Sequence, residues 1–115
     1  MRVAALMGFL AVALGAFGAH GLQTTLAQNN TTDIWKTAAS YHLIHAVMLF
    51  VLGIRQPVRA GPWLCFLGGI VIFSGSLYLL AVTNAKWLGA ITPLGGLGLL
   101  AGWLWLYVRP DKVSW

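Results

Sequence analysis

Charge is the property that this chain most lacks. Only 8% of its 115 residues are charged, whereas 59% are hydrophobic. A soluble globular domain carries about 25% charged residues, and so few charged side chains cannot solvate a surface of this size. Because a bilayer-spanning helix takes roughly 20 apolar residues, the chain has room for four spans joined by short connections. It has no room for a separate soluble catalytic domain.

Acidic residues and cysteine are the scarcest of the reactive side chains. The acids are Asp33 and Asp111, and the one cysteine is Cys65. Proton-coupled cation export needs a carboxylate within the membrane, and both acids lie at the ends of apolar runs, so the sequence argues against that activity. A single cysteine excludes an internal disulfide, and within an apolar segment it is typical of a small buried hydrophobe.

Catalytic motifs are missing as well. The sequence contains no recognisable Ser-His-Asp arrangement, paired carboxylates or phosphate-cradling loop, so we expect no enzyme. Its basic residues give a net charge of +5, but they are scattered and never form the stripe that follows a nucleic-acid backbone. We therefore expect the lipid bilayer, and not a nucleic acid, to be the partner of this surface.

Long apolar runs are what the sequence has in abundance. They predict an all-α fold in one domain, residues 1–115, built as an integral membrane bundle of four transmembrane helices. The predicted spans cover residues 3–19, 33–54, 62–82 and 87–108. The first run also fits a secretory signal peptide. The retained Met1 favours a helix that stays in the bundle, as does a seam of small residues at Ala11, Gly15 and Ala19.

The connections and the last span carry further signals. Residues 20–32 are polar and are expected to form a connection outside the hydrocarbon, with Thr31 or Thr32 as the N-cap of the second span. Gly98 and Gly102 give the last span a GxxxG seam, which serves packing within the bundle or, alternatively, a homo-oligomer.

The basic residues predict an orientation. Four spans put both termini on one side, and five basic residues lie there: Arg2, Arg55, Arg59, Arg109 and Lys112. The other side has only Lys36 and Lys86. The positive-inside rule therefore predicts a multi-pass protein of the plasma (inner) membrane with both termini cytoplasmic. Aromatic residues near the predicted span ends agree with a membrane-interface belt: Trp35, Trp63, Trp87, Trp103, Trp105 and Tyr107.

Polar side chains collect in the outer half of the predicted bundle. The members of this polar cluster are His20, Tyr41, His42, His45, Ser74, Ser76, Tyr78 and Thr92. His42 and His45 are three residues apart and share a helix face, and His20 can join them if the first two spans pack antiparallel. Three imidazoles could bind zinc or copper and leave a fourth position open, and haem is a further candidate. Alternatively, the histidines simply form hydrogen bonds with neighbouring helices.

Four blocks of the sequence resemble a known family. They are GAFGAHGL at 15–22, WKTAASYHLIHAVML at 35–49, FSGSLYLLA at 73–81 and ITPLGGLGLLAGW at 91–103. These blocks are similar to the signature segments of the YgdD/YwdK-type family of small bacterial inner-membrane proteins, which has a mitochondrial membrane relative. The resemblance implies four transmembrane helices. It implies no activity, because the family is one of unknown function.

Three functions remain open at this point. The leading expectation is a non-enzymatic helical module or accessory subunit of a membrane assembly, with a membrane-protein partner or a homo-oligomer. The first alternative is a ligand-, haem- or metal-binding membrane protein that uses His20, His42 and His45. The second is a small solute or proton pathway, for which the sequence shows no route through the inner half of the bundle.

Overall fold

Helices make up the fold. The computed structural model describes residues 1–55 and 57–110, so Asp111 and Lys112 lie outside the described residues. The helices are α1 (Arg2–His20), α2 (Gln23–Asn29), α3 (Thr32–Gly53), α4 (Ala60–Thr83), a 3-10 helix (Lys86–Ala90) and α5 (Thr92–Val108). The described ranges contain no strand, and the predicted all-α class is confirmed.

Three segments are long and apolar enough to cross a membrane. They are Arg2–His20, Ala60–Thr83 and Lys86–Val108, with mean hydropathies of 1.9, 2.1 and 1.5. Among the described residues α3 does not join them on composition. Its 22 residues would span about 33 Å at 1.5 Å per residue, but its first half is rich in polar side chains. The predicted second span, residues 33–54, therefore has the length of a membrane helix without the uniform apolarity.

Two connections are more ordered than the sequence indicated. The polar stretch 20–32 contains α2, whose Leu26 is buried against Trp35. Asn30 ends α2 in the left-handed region, at a φ of 56°, which asparagine tolerates better than most residues. The last span does not start as one α-helix at Trp87, because a 3-10 helix precedes α5 and Pro93 lies in the first turn of α5.

The long helices form an open row. Helix α1 packs on α3, α3 on α4, and α4 on α5, whereas within the described ranges the backbones of α1 and α5 do not meet. Outward-facing side chains are largely apolar, and Phe9 and Leu100 are 69% and 66% exposed. Exposed apolar side chains on every long helix are what a lipid-facing surface requires. We call this arrangement the helical row, and its end that carries α2 the α2 end.

Heptad spacing positions α1 against α3. The buried residues of α1 are Ala4, Ala11 and Gly18, seven positions apart. Of the small residues predicted to form this seam, Ala11 lies on it and Gly15 borders it, whereas Ala19 is exposed. Helix α3 buries a matching stripe at intervals of three and four: Trp35, Ala38, His42, His45, Leu49 and Leu52. Both patterns are typical of left-handed helix packing, and the α3 stripe turns the two histidines inward.

Glycines bring α4 and α5 into backbone contact. A Cβ atom at Gly95 would lie 2.2 Å from the backbone nitrogen of Phe73, and one at Gly98 would lie 3.3 Å from the Cα of Gly69. A Cβ at Gly102 would lie 2.7 Å from the Phe66 ring. The predicted seam at Gly98 and Gly102 is therefore used inside the chain, as small residues in membrane helices commonly are.

We predict that Gly95→Ala destabilises the protein by about 1–3 kcal/mol, the usual range for overpacking, because its Cβ would overlap the backbone of α4. Gly96→Ala is the matched control, since its Cβ would lie 3.6 Å from the Phe73 ring in ordinary contact. Thermal unfolding in mild detergent measures both variants. Equal unfolding temperatures for the two would contradict this close approach of α4 and α5.

Candidate functional site

His45 is held by hydrogen bonds at both ring nitrogens. Nδ1 lies 2.7 Å from the carbonyl oxygen of Tyr41, and Nε2 lies 2.9 Å from the indole nitrogen of Trp103 on α5. A carbonyl only accepts and an indole N–H only donates. Nδ1 therefore carries the proton, and Nε2 accepts from Trp103. The ring is a neutral imidazole with no lone pair left for a metal.

His42 is bonded at one nitrogen only. Its Nδ1 lies 3.0 Å from the hydroxyl of Tyr78 on α4, and the Tyr78 ring in turn packs 4.7 Å from that of Trp35. The backbone of Met7 lies beside the buried imidazole, but Nε2 makes no hydrogen bond of normal geometry among the described residues. His42 therefore offers a single uncommitted nitrogen.

His20 lies away from the other two histidines. Trp35 rests on Gly18 of α1, where a Cβ would lie 2.0 Å from its indole nitrogen. His42 is seven residues farther along α3, about 10 Å at 1.5 Å per residue, whereas His20 lies beyond Gly18 in the opposite direction and is exposed. No group of three His, Cys, Asp or Glu side chains in the described ranges could hold a metal, so the predicted three-histidine site is not assembled here.

The remaining members of the polar cluster tie helices together in pairs. The Ser74 hydroxyl donates to the carbonyl oxygen of Ala38 at 2.8 Å, which links α4 to α3. The Ser76 and Thr92 hydroxyl oxygens lie 2.6 Å apart, which links α4 to α5. Tyr41 is 45% exposed and packs its ring 4.9 Å from that of Phe73. These contacts favour the hydrogen-bonding interpretation of the cluster over a metal site.

Tryptophans are the members of the site that the sequence interpretation missed. Besides the bond from Trp103, the indole N–H of Trp35 donates to the Leu14 carbonyl at 2.9 Å, and that of Trp63 donates to the Leu49 carbonyl at 3.2 Å. Their indole nitrogens therefore face neighbouring helices, although the sequence placed these rings in an interface belt. The signal that could have found Trp35 is its position on the buried three-and-four spacing of α3.

The hydrogen bond between His45 and Trp103 also shows how far the site extends along the helical row. His45 lies just past the middle of α3, whose residues run from Thr32 to Gly53. The sequence had placed His45 in the outer half and Trp103 toward the inner face. The 2.9 Å contact puts both at one level, so the site reaches the centre of the helical row.

Polar residues of the 20–32 segment complete the end of α4. The Asn29 amide donates to the carbonyl oxygens of Ala81 and Val82 at 3.1 Å each, and the Thr31 hydroxyl donates to Ala81 at 2.7 Å. The last carbonyls of a helix have no partner within it, so these side chains cap α4. Thr31 does occupy the N-cap of α3, as predicted, but its side chain makes no cap bond there.

Comparison with known proteins identifies the family. Residues 14–96, more than half of the chain, match the family model described as "Protein of unknown function (DUF423)". The chain belongs to this family. The matched segment includes all three histidines together with Tyr78 and Thr92.

Relatives of this family are similar to the chain over nearly its full length. The "UPF0382 membrane protein YwdK" of Bacillus subtilis (strain 168) is 46% identical over 94% of this chain and 92% of its own. The "UPF0382 membrane protein SH2409" of Staphylococcus haemolyticus (strain JCSC1435) is 43% identical over 94% and 91%. No solved structure matches the chain. The predicted YwdK-type family is confirmed, and its members are membrane proteins by name.

We predict that Trp103→Phe lowers the stability of the protein by about 0.5–2 kcal/mol, because it leaves the buried Nε2 of His45 without a donor. Trp87→Phe is the matched control, since Trp87 is 67% exposed. Unfolding in mild detergent measures both, and the effect should vanish in a His45→Leu background. A loss from Trp103→Phe that persists unchanged in that background would contradict the assigned hydrogen bond.

Proposed function

We propose that this protein crosses the plasma (inner) membrane four times with both termini in the cytoplasm. We further propose that it acts there without catalysis, as a helical module of a larger membrane assembly. The observation that carries the second statement is an exposed heptad stripe on α5. The first statement rests on the packing of α3.

The exposed side chains of helix α3 are polar as far as Tyr41 and apolar from Leu43 onward, whereas its two histidines lie on the buried side. The helix packs along both α1 and α4, with Trp35 bonded to α1 near one end and Trp63 of α4 bonded to Leu49 near the other. Its outward side chains include Leu43, Ile44, Val47, Phe50 and Val51. A helix that packs between two apolar spanning helices and shows lipid an apolar face over its second half can cross with them, with its polar first half toward the membrane surface.

The distribution of basic residues supports the orientation. Arg2, Arg55, Arg59, Arg109 and Lys112 would lie on the cytoplasmic side, against Lys36 and Lys86 on the other. An excess of arginine and lysine in cytoplasmic connections sets the topology of membrane helices.

Single cysteines on either side of α3 test both proposals about topology. In a Cys65→Ala background, we expect a membrane-impermeant maleimide to label Thr24→Cys in intact cells and Val58→Cys only after permeabilisation. Both positions are exposed, and Leu49→Cys is the buried control. Labelling of both exposed positions from one side would show that α3 does not cross. An exchange of the two patterns would leave the crossing intact and reverse the orientation.

The geometry of the polar cluster supports a role without catalysis. A metal bound at His45 would have to break the hydrogen bond to Tyr41 or that to Trp103. A solute or proton pathway would have to pass the closely packed apolar layer that contains Leu49, Leu52 and Phe66. The alternatives therefore need rearrangement of the packed row, whereas a structural module does not.

Helix α5 offers a face for a partner helix. Its GxxxG glycines are covered by α4, but a second stripe at intervals of three and four points outward: Leu94, Leu97, Ala101, Leu104 and Val108. Leu97 and Leu104 are each 61% exposed. Such spacing is typical of left-handed helix pairs. The proposed partner is a membrane helix, from a second copy of this chain or from another membrane protein.

We predict that native mass analysis after extraction from cell membranes in mild detergent finds a species larger than the monomer. The double variant Leu97→Ala, Leu104→Ala should reduce it to the monomer, because it removes the centre of the stripe. Leu64→Ala with Leu79→Ala is the matched control on α4, whose leucines are 58% and 57% exposed. A monomeric parent protein, or equal losses in the two double variants, would contradict the module proposal.

A further inference from the structure

A cleft opens between α1, α2 and α3 at the α2 end. Its volume is about 490 Å³, within the range of roughly 300–1,000 Å³ that is usual for small-molecule sites. None of the residues that bond His42 or His45 lines this cleft, although Trp35 lines it and also packs between α1 and α3. It is therefore a separate feature from the candidate site described above.

The cleft has an apolar floor and a polar rim. Gly15 and Ala39 form part of the floor, where α1 and α3 approach so closely that a Cβ on Gly15 would lie 3.9 Å from that of Ala39. Gln23, Lys36 and Ser40 belong to the rim. The lining is thus small at the contact of α1 with α3, and Leu26 and Trp35 add larger apolar side chains beside it, so this part of the cleft suits a hydrocarbon chain.

Lys36 gives the rim a positive charge. It is the only charged residue that lines the cleft, and within residues 1–55 and 57–110 it forms no ion pair. Asp33, one turn earlier on α3, is exposed and does not line the cleft. The ammonium group therefore has room for an anionic partner from outside the chain, and phosphate oxygens are strong acceptors for such a group.

The lining of the cleft includes both polar and apolar side chains. Its rim lies beside the polar 20–32 segment, and Gly15 on the floor is five residues, about 8 Å, farther along α1 from His20. One ligand that reaches from a polar rim to an apolar floor is an amphiphile with an anionic headgroup. This placement rests on the proposed crossing of the bilayer, and it is independent of any partner of α5.

We propose that the cleft binds a membrane phospholipid whose headgroup carries a net negative charge. The headgroup phosphate lies at Lys36, with Gln23 and Ser40 as neutral hydrogen-bonding groups, and one acyl chain lies on the floor between α1 and α3. An electrostatic contact with an anionic lipid is worth about 1 kcal/mol per lysine, so the net charge of the headgroup confers a preference among lipids that the apolar floor alone cannot give.

Native mass spectrometry of the full chain tests the headgroup. Protein in mild detergent is mixed with equal amounts of phosphatidylglycerol and phosphatidylcholine of distinct mass, and the retained lipid is counted. We expect phosphatidylglycerol to be retained preferentially and its retention to fall about five-fold in Lys36→Gln. Lys86→Gln removes the same charge at the α2 end but outside the cleft, so this variant should retain phosphatidylglycerol as well as the parent protein does. Equal retention of the two lipids, or equal losses in the two variants, would overturn the proposal.

A second pair of variants tests the floor. Gly15→Leu places a side chain in the groove and should abolish retention of the lipid. Gly8→Leu is the control on the same helix, because a Cβ there meets nothing within 4 Å. Unchanged retention in Gly15→Leu would overturn the acyl-chain placement. Displacement of the lipid by millimolar inorganic phosphate would also overturn the proposal, since it would identify a soluble anion as the occupant.

The outcome of the lipid experiments can be separated from that of the cysteine-labelling experiment on topology. Cysteine labelling reports whether α3 crosses the bilayer, and lipid counting reports what the cleft retains in detergent. If α3 crosses and the lysine variants behave alike, the lipid site fails alone. If Gly15→Leu proves unstable, the comparison of Lys36→Gln with Lys86→Gln still decides the question.

Discussion

The helical row depends on one constraint, which is that the two histidines buried on α3 form hydrogen bonds with neighbouring helices. Water is absent from the hydrocarbon core, so an unpaired donor or acceptor there costs several kcal/mol. The Trp103 indole donates to Nε2 of His45, and the Tyr78 hydroxyl bonds Nδ1 of His42, whose Nε2 makes no hydrogen bond of normal geometry among the described residues. The first of these bonds joins α5 to α3, whose backbones do not touch. The side-chain network therefore holds together helices that backbone packing alone leaves apart.

Close backbone approach makes these hydrogen bonds reachable. Trp35 can donate to the Leu14 carbonyl only because Gly18 leaves room for its indole ring. On the other side of the row, Gly95 lets α5 lie directly on the backbone around Phe73. In lipid, where burial of apolar surface gives little drive for helix association, such contacts and the hydrogen bonds they permit supply most of the attraction. Small residues thus provide the close approach, and the tryptophans provide the hydrogen bonds that this approach permits.

Composition was enough to predict the helical class and the apolar runs, because both follow from single-residue properties. The shared face of His42 and His45 followed from helix geometry alone. The hydrogen-bond partners of these histidines could not be predicted, because the register between two helices depends on packing that no single segment encodes. The α1 seam shows the same limit. Steps of four residues rotate about 40° around a helix, whereas steps of seven drift by about 20°. Ala4, Ala11 and Gly18 therefore stay in contact with α3, and Ala19 does not.

The mixed character of α3 also bears on how the protein is assembled. Helices α1 and α4 are apolar enough to enter a bilayer on composition, whereas α3 is not among the three candidate spans, so under the proposed crossing a separate α3 would expose His42 and His45 to lipid. The two histidines take their hydrogen bonds from later helices, His42 from Tyr78 of α4 and His45 from Trp103 of α5. Stable placement of α3 is therefore coupled to the C-terminal half of the chain. The polar network is then a requirement for completing the fold, which gives its residues a role even without chemistry.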